Sequence, residues 1–225
     1  MSPDALAARH PRLYHQTRAG AWPQIRAHGL LPTAQLLART DLPAAERQHL
    51  TRSRRAAGIT LSSDIGPIEI NDNIPLSHAA LERCLDDGLT PAQWCAMLAE
   101  RVFFWADESS LARLLGARTN RDRPRDVLVI DTLSFARAHQ DRIELSPINS
   151  GSTIRKPARR GLSTYAPMRT FESYADWARL RLERGEKRAP DRIKEVVVPG
   201  AVTDIAHHVV KLRRYEGGTW RSLSD

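Results

Sequence analysis

The sequence has few of the features that would place it in a common class of metalloprotein, secreted protein or membrane protein. It contains only two cysteines, Cys84 and Cys95, whose spacing fits neither a zinc site nor a disulfide framework. No apolar run approaches the length of a membrane span, and the N-terminus has no signal-peptide core. These absences predict a cytoplasmic protein that has no bound metal and does not associate with membranes.

Several sequence motifs of nucleotide-binding and hydrolytic enzymes are also missing. No two glycines are separated by a single residue, so the chain has neither a Rossmann fingerprint nor a P-loop. The absence of His-Glu-x-x-His and of Gly-x-Ser-x-Gly argues against a zincin and an α/β-hydrolase. A dinucleotide, if one binds, must be held in some other way.

The composition is that of a globular protein with a basic surface. Its 225 residues, 41% hydrophobic and 27% charged, predict a single domain over residues 1–225. Lys and Arg exceed Asp and Glu by 34 − 26 = 8, and most of the excess is arginine, which suits bidentate contacts to phosphate. A nucleic acid or polyphosphate partner and the arginine usage of a GC-rich genome explain this bias equally well.

The hydrophobic pattern predicts short strands interspersed with helices. The apolar runs at 102–105 and 127–131 are the strongest buried strands, and residues 193–198 form a late strand. Two helices within residues 76–100 form an insertion packed on the sheet, the second of which begins at the Thr90-Pro91 cap. The predicted fold class is α+β, with mixed sheets and inserted helices.

The segment at 13–17, Leu-Tyr-His-Gln-Thr, combines a strand with polar side chains. His15 and Thr17 project from the same strand face because side chains alternate along a strand. Gly29 then supplies a left-handed residue that ends the following helix. Together they predict a small polar pocket that suits a ribose hydroxyl or a carboxamide. Alternatively, His15 bridges a core strand to a loop carbonyl, and Gly29 only ends the helix.

Glu195 is the candidate catalytic carboxylate. It lies in a late strand beside three valines, where a buried carboxylate needs a partner. The alternative is an edge strand with Glu195 facing water.

The opening segment at 13–17, followed by Ile25 and Gly29-Leu30, resembles the NAD-binding strand and helix of ADP-ribosyltransferases. The resemblance is closest to DarT-type toxins, which modify DNA bases, and extends to RNA 2′-phosphotransferases. The strand of Glu195, which ends in a proline, looks like the catalytic-glutamate strand of the DarT type. A wider pattern at 13–15, 101–105 and 146–151 resembles a bacterial family of uncharacterised proteins.

The resemblance implies a role for each candidate residue, with NAD as the co-substrate and no metal. Glu195 would stabilise the positive charge that develops on the ribose, as in glycoside cleavage. Arg55 would clamp the pyrophosphate, with Arg54 as the second choice, although a solvated helix end also explains this basic run. The remaining implied NAD contacts are His15, Gln16, Thr17, Gly29, Leu30 and Phe104, the last of which also suits the core. Substrate contacts are expected from Arg121, Asn149, Ser150 and Arg155, although the loop holding Asn149 and Ser150 also suits a plain connection.

The resemblance therefore predicts an NAD-dependent ADP-ribosyltransferase that modifies nucleic acid, with a DNA base as the expected target. It would act in a toxin or phage-defence setting, with an antitoxin or an ADP-ribosyl-removing enzyme as a further partner. The alternatives are a catalytically inactive, basic nucleic-acid-binding module, an RNA 2′-phosphotransferase and an NAD glycohydrolase.

Overall fold

The computed structural model describes residues 1–117, 120, 123–154, 156–183 and 191–223. It confirms the α+β class. The strands are Arg12–Arg18 (β1), Ile59–Leu61 (β2), Ile68–Ile70 (β3), Arg101–Trp105 (β4), Arg125–Asp131 (β5), Glu144–Ser146 (β6), Ala166–Pro167 (β7), Glu195–Pro199 (β8), Val209–Glu216 (β9) and Thr219–Leu223 (β10).

Helices cover both faces of the large sheet, and several of them begin at a side-chain cap. Thr90 caps α6 and Pro91 takes its first helical position, as the sequence predicts, and Gln93 completes a capping box with Thr90. Asp107 and Asp131 cap the helices that follow the two strongest strands. The α-helices are Pro3–Arg9 (α1), Trp22–His28 (α2), Thr33–Ala38 (α3), Ala44–Arg52 (α4), His78–Cys84 (α5), Pro91–Ala99 (α6), Glu108–Leu115 (α7), Thr132–His139 (α8) and Tyr174–Glu183 (α9).

The strand order of the large sheet is β10-β9-β5-β1-β4-β8-β6-β7, and β2 pairs with β3 in a separate hairpin. Every pairing between the described strands is antiparallel, whereas the sequence pattern predicts mixed sheets. The β9–β10 hairpin was not anticipated, because its exposed strands lack the continuous apolar pattern of β5.

Side-chain alternation along the strands separates two hydrophobic layers. On one face, Leu13, Phe104 and Val196 join the main core under α1, α2, α8 and α9. On the other face, Phe103 and Val197 pack against α5 and α6. A third cluster beneath α7 continues this second layer toward β5 and β9. The central strands are therefore buried on both sides, which explains their continuous apolar pattern.

Two neighbouring strands at the centre of the sheet separate soon after they meet. The strand β1 pairs with β5 along all seven of its residues. It pairs with β4 only at Tyr14 and Trp105. Beyond that pair, the ladder between β1 and β4 stops. The candidate site lies at this gap.

Among the described helices, none combines the length and apolarity that crossing a membrane requires.

Candidate functional site

A cavity of about 320 Å³ lies where β1 and β4 separate. Ligand pockets commonly measure about 300–1,000 Å³, so this one lies at the small end of that range. Its wall includes residues 15–18 of β1 and 101–103 of β4. Because these residues project from both faces of the sheet, the cavity occupies the gap between the strands. Its other walls come from the end of α2, the start of α3 and the β2–β3 hairpin.

The structure brings six predicted NAD-site residues to this cavity. They are His15, Gln16, Thr17, Gly29, Leu30 and Arg55.

The His15 ring spans the gap between the two strands. Its Nδ1 lies 2.9 Å from the Phe103 carbonyl oxygen, so the Nδ1–H donates and Nε2 is left as an acceptor. Burial lowers the pKa of His15, which keeps the ring neutral. The carbonyl contact that the sequence left open as an alternative is therefore present, although the acceptor lies on a strand and not on a loop.

Gln16 carries the unsatisfied polar group of the cavity wall. Its Oε1 is buried and has no hydrogen-bond partner among the described residues. A buried amide without a partner is unfavourable by about 1–3 kcal/mol, so a ligand that supplies the complementary group gains affinity. By contrast, Gln24 on the same wall donates to the Ile65 carbonyl oxygen at 2.7 Å.

Two arginines of the cavity wall, Arg18 and Arg55, have no carboxylate within salt-bridge distance in the described part of the chain. The third wall arginine, Arg101, is neutralised by Glu144 at 2.8 Å. Burial lowers the pKa of Arg55, although a guanidinium stays charged at neutral pH. The cavity therefore presents positive charge that suits an anionic ligand.

Arg55 and Arg54 differ in their position relative to the cavity. Arg55 Nε donates to the Asn71 carbonyl oxygen at 3.0 Å, and its Nη1 donates to the Leu50 carbonyl oxygen. These bonds fix the guanidinium at the cavity wall, but they use two of its donor nitrogens, Nε and Nη1. Arg54 does not line the cavity, and its Nε donates to the Leu76 carbonyl oxygen at 2.7 Å.

Gly29 ends α2 at a point where only glycine fits. Its φ of +80° is positive, as predicted, but its ψ of −178° lies outside the left-handed helical region. A Cβ at this position would lie 2.4 Å from the Thr203 Cα and 2.6 Å from the Val202 carbonyl oxygen. The next residue, Leu30, pairs with Val202 through two backbone hydrogen bonds of 2.9 Å. This close approach sets the position of the loop that enters the cavity wall.

Glu195 is buried on an internal strand. The strand β8 lies between β4 and β6, so the alternative of an edge glutamate facing water is wrong. Its carboxylate accepts hydrogen bonds from the Ser150 amide, at 3.2 and 3.3 Å, and from the Ser150 hydroxyl at 2.7 Å. Glu195 does not line the cavity itself, but Gly151, the residue after its partner Ser150, does.

Burial raises the pKa of Glu195 to about 7, despite the two bonds from Ser150 and the nearby charges of Lys194 and Arg160, which favour ionisation. Arg160 also donates to the Ser150 carbonyl oxygen at 3.0 Å, so it fixes the turn that holds the carboxylate. Burial beside Glu195 raises the pKa of the Tyr165 phenol. A carboxyl group that titrates near neutrality can act as an acid or a base, and structural networks also produce such shifts.

The other predicted site residues lie elsewhere. Phe104 lies in the main core, 4.8 Å from the Phe135 ring, and the neighbouring Phe103 lines the cavity instead. Asn149 precedes Ser150 in the turn beneath Glu195 and does not line the cavity. Arg121 and Arg155 lie outside the described residues.

Glu69 is a wall residue that was not predicted from the sequence. Among the described residues that line the cavity, Glu69 is the one with a carboxylate side chain. This carboxylate pairs with Arg125 at 3.2 Å. The alternating Ile-Glu-Ile pattern of β3 predicts that its central side chain faces away from the isoleucines. That pattern alone does not reveal that β3 borders a cavity, whose wall also includes Ile68 and Ile70.

Comparison with known proteins gives a family without an assigned activity. A family described as "Family of unknown function (DUF7002)" matches residues 11–209, which is most of the chain. Among curated proteins, none matches the chain significantly. The matched range includes β1, the cavity walls described above and the Glu195 strand. The chain therefore belongs to this family of unknown function.

Proposed function

We propose that the protein is an NAD-dependent ADP-ribosyltransferase acting on nucleic acid, with a DNA base as the target. The observation that carries the proposal is the cavity at the β1–β4 gap. Its wall combines His15, the Gln16 Oε1 that has no partner among the described residues, and the guanidinium groups of Arg18 and Arg55, which pair with no carboxylate in that part of the chain. An amide acceptor suits the carboxamide of nicotinamide, and the arginines suit its pyrophosphate. The setting would be a toxin or phage-defence system with an antitoxin or an ADP-ribosyl-removing partner.

The reaction would break the bond between nicotinamide and ribose. The ribose carbon becomes positively charged as nicotinamide leaves with the bonding electrons, and a base nitrogen of the nucleic acid then forms the new bond. A carboxylate near the ribose hydroxyls stabilises that charge and takes the proton that the acceptor releases.

Two carboxyl groups compete for this role. Glu195 is the residue that the sequence resemblance favours, and its pKa near 7 suits proton transfer. It lies behind the Ser150–Gly151 turn, so that turn must shift for it to reach a ribose. Glu69 already lines the cavity.

The decisive experiment uses NAD labelled in its adenylate part, incubated with single-stranded DNA, duplex DNA, RNA or protein. We expect transfer of label to DNA by the natural protein and loss of transfer in either Glu195→Gln or Glu69→Gln, which identifies the carboxylate. Arg55→Ala weakens NAD binding, whereas Arg54→Ala serves as the neighbouring control outside the cavity. Every variant is first compared with the natural protein by circular dichroism and thermal unfolding.

Absence of both NAD binding and NAD consumption with every acceptor would overturn the proposal. Release of nicotinamide without transfer to any polymer would replace it with a glycohydrolase. Transfer of a 2′-phosphate from RNA to NAD would identify a phosphotransferase instead.

A second candidate is a nucleic-acid-binding module without catalysis, and the separation of Glu195 from the cavity wall favours it. The net charge of +8 would supply the affinity for phosphate. This function predicts DNA binding that weakens steeply with salt and that Glu195→Gln leaves unchanged.

A further inference from the structure

Two buried histidines and one aspartate converge far along the chain from the cavity residues. His139 is the last residue of α8, while Asp204 and His208 flank the short 3₁₀ turn Ile205–His207. One ligand atom from each of the three residues lies within 4.8 Å of those from the other two. Both histidine side chains are buried, while the Asp204 side chain is 35% exposed. The cluster therefore has an open side at the carboxylate.

The same nitrogen of each ring faces the carboxylate. His139 Nε2 lies 2.9 Å from Asp204 Oδ1, and His208 Nε2 lies 3.3 Å from Asp204 Oδ2. The two rings stand 5.7 Å apart at 76° and are not stacked on each other. Two imidazole nitrogens and one carboxylate thus converge on a common volume.

The surroundings hold the two rings in place. The Phe135 ring lies 4.8 Å from the His139 ring and 5.6 Å from the His208 ring. Ser134 Oγ lies 2.6 Å from His208 Nδ1. In addition, the Asp131 amide donates to the His208 carbonyl oxygen at 2.8 Å, which ties the turn to the start of α8. An outer hydrogen bond on Nδ1 is the arrangement that orients a histidine for metal binding through Nε2.

We propose that His139, Asp204 and His208 form a binding site for a divalent transition metal, with Zn²⁺ as the best match. Two histidines and one carboxylate are a donor set that Zn²⁺ accepts, and three protein ligands leave a fourth position for water or an anion. The exposed side of Asp204 supplies the entry path. The site is independent of the proposed transferase activity.

Metal binding requires a change of tautomer at each ring, and at His208 the structure provides the partner for the moved proton. Without metal, Nε2–H of His208 donates to Asp204, and Nδ1 accepts from the Ser134 hydroxyl. With metal, the ring proton resides on Nδ1 and is donated to Ser134 Oγ, while the Nε2 lone pair binds the ion. The Asp204 carboxylate then loses the hydrogen bonds from the two Nε2–H groups and binds the metal ion instead. Without metal, the same three side chains form hydrogen bonds that could serve structure alone. A direct measurement of metal binding is therefore the test.

The experiment is a Zn²⁺ titration of tag-free, metal-depleted protein by isothermal calorimetry, with Co²⁺ absorption as a second readout. We expect one site per chain and visible Co²⁺ bands that an added excess of Zn²⁺ removes. Asp204→Asn retains the size and a hydrogen-bond acceptor but lacks the charge, and we expect its Zn²⁺ affinity to fall at least about tenfold, since loss of an outer-shell partner alone costs about 10–100-fold.

His207→Ala is the matched control. His207 is exposed and adjacent to His208, and it does not belong to the cluster. We expect this variant to bind Zn²⁺ as the natural protein does. His139→Gln should also weaken Zn²⁺ binding, because it removes one imidazole ligand; should it fail to fold beside Phe135, Asp204→Asn still decides the outcome. No stoichiometric binding, or equal binding by the natural protein and Asp204→Asn, would overturn the proposal.

Discussion

Ser150 holds the buried carboxylate of Glu195 through both its backbone amide and its hydroxyl, the latter at 2.7 Å. The two residues are 45 positions apart in the chain, and neither is exposed to solvent. This contact links the central sheet to the turn whose next residue lines the cavity. A change in the ionisation of Glu195 therefore acts on protein stability through this buried contact.

The first prediction concerns the pH dependence of stability. The ordinary pKa of Glu195 is 4.5 and its folded value is about 7. Below pH 4.5 both states are protonated, and between the two values only the unfolded state loses its proton. The free energy of unfolding contributed by this residue therefore falls by about 3 kcal/mol as the pH rises through that window.

Glu195→Gln mimics the protonated side chain, so it should remove this decline. We expect urea unfolding curves of the two proteins to diverge progressively from pH 4.5 to 7, with the variant the more stable at pH 8. Ser150→Ala, which removes a bond that favours the ionised form, should extend the decline to higher pH. Parallel stability profiles for the natural protein and Glu195→Gln would contradict the prediction.

The second prediction compares two glycines with positive φ. Gly29→Ala should destabilise the protein by at least about 3 kcal/mol, because its Cβ would overlap the backbone at Thr203 and Val202. Gly20 has a φ of +78°, but a Cβ added there would meet nothing within 4 Å. Gly20→Ala should therefore lose only about 1–2 kcal/mol, the penalty of the left-handed conformation.

Thermal and urea unfolding measure both glycine variants under the same conditions. If both variants lose the same free energy of unfolding, the predicted overlap of the added Cβ at position 29 with the backbone at Val202 and Thr203 has no effect on stability.

The third prediction concerns the buried carboxylate of Asp126. It is 1% exposed and accepts two bonds from Arg214, at 2.6 and 3.0 Å, and one from the Gly20 amide at 2.7 Å. Arg214→Ala should lower the free energy of unfolding by about 3–5 kcal/mol, because a buried charge loses its main partner.

Arg137→Ala provides the control for Arg214→Ala. Arg137 pairs with Asp4 at 2.9 Å on the surface, where both side chains are more than half exposed. Surface pairs contribute little, so this variant should stay within about 0.5 kcal/mol of the natural protein. A loss in Arg214→Ala no larger than in Arg137→Ala would refute a special role for the Asp126 network.

The fourth prediction separates ligand binding from stability at two wall glutamines. Gln16→Ala should leave stability unchanged or slightly higher, because Gln16 Oε1 has no partner among the described residues. Gln24→Ala should destabilise by about 1 kcal/mol, since it loses a bond to Ile65. If the cavity binds NAD as proposed, Gln16→Ala should nevertheless weaken that binding, measured by calorimetry. A clear loss of stability in Gln16→Ala would show that its amide is satisfied.

Much of the local structure was determined by the sequence pattern. The Thr90-Pro91 cap starts α6 as expected. The run at 102–105 and the run at 127–131 form buried strands because they are apolar on both faces. These features depend on side chains within a few positions of each other, so a single sequence is enough to reveal them.

The site was decided by contacts between distant segments. The gap between β1 and β4, the burial of Glu195 behind Ser150 and the convergence of His139 with Asp204 and His208 all join residues more than 40 positions apart. The order of the strands depends on which strand faces can be buried against each other. The sequence pattern of a single strand does not indicate that order. The sequence by itself singled out the candidate residues of β1 and β8. Only tertiary packing decided that β1 opens into a cavity, while Glu195 of β8 lies behind its wall.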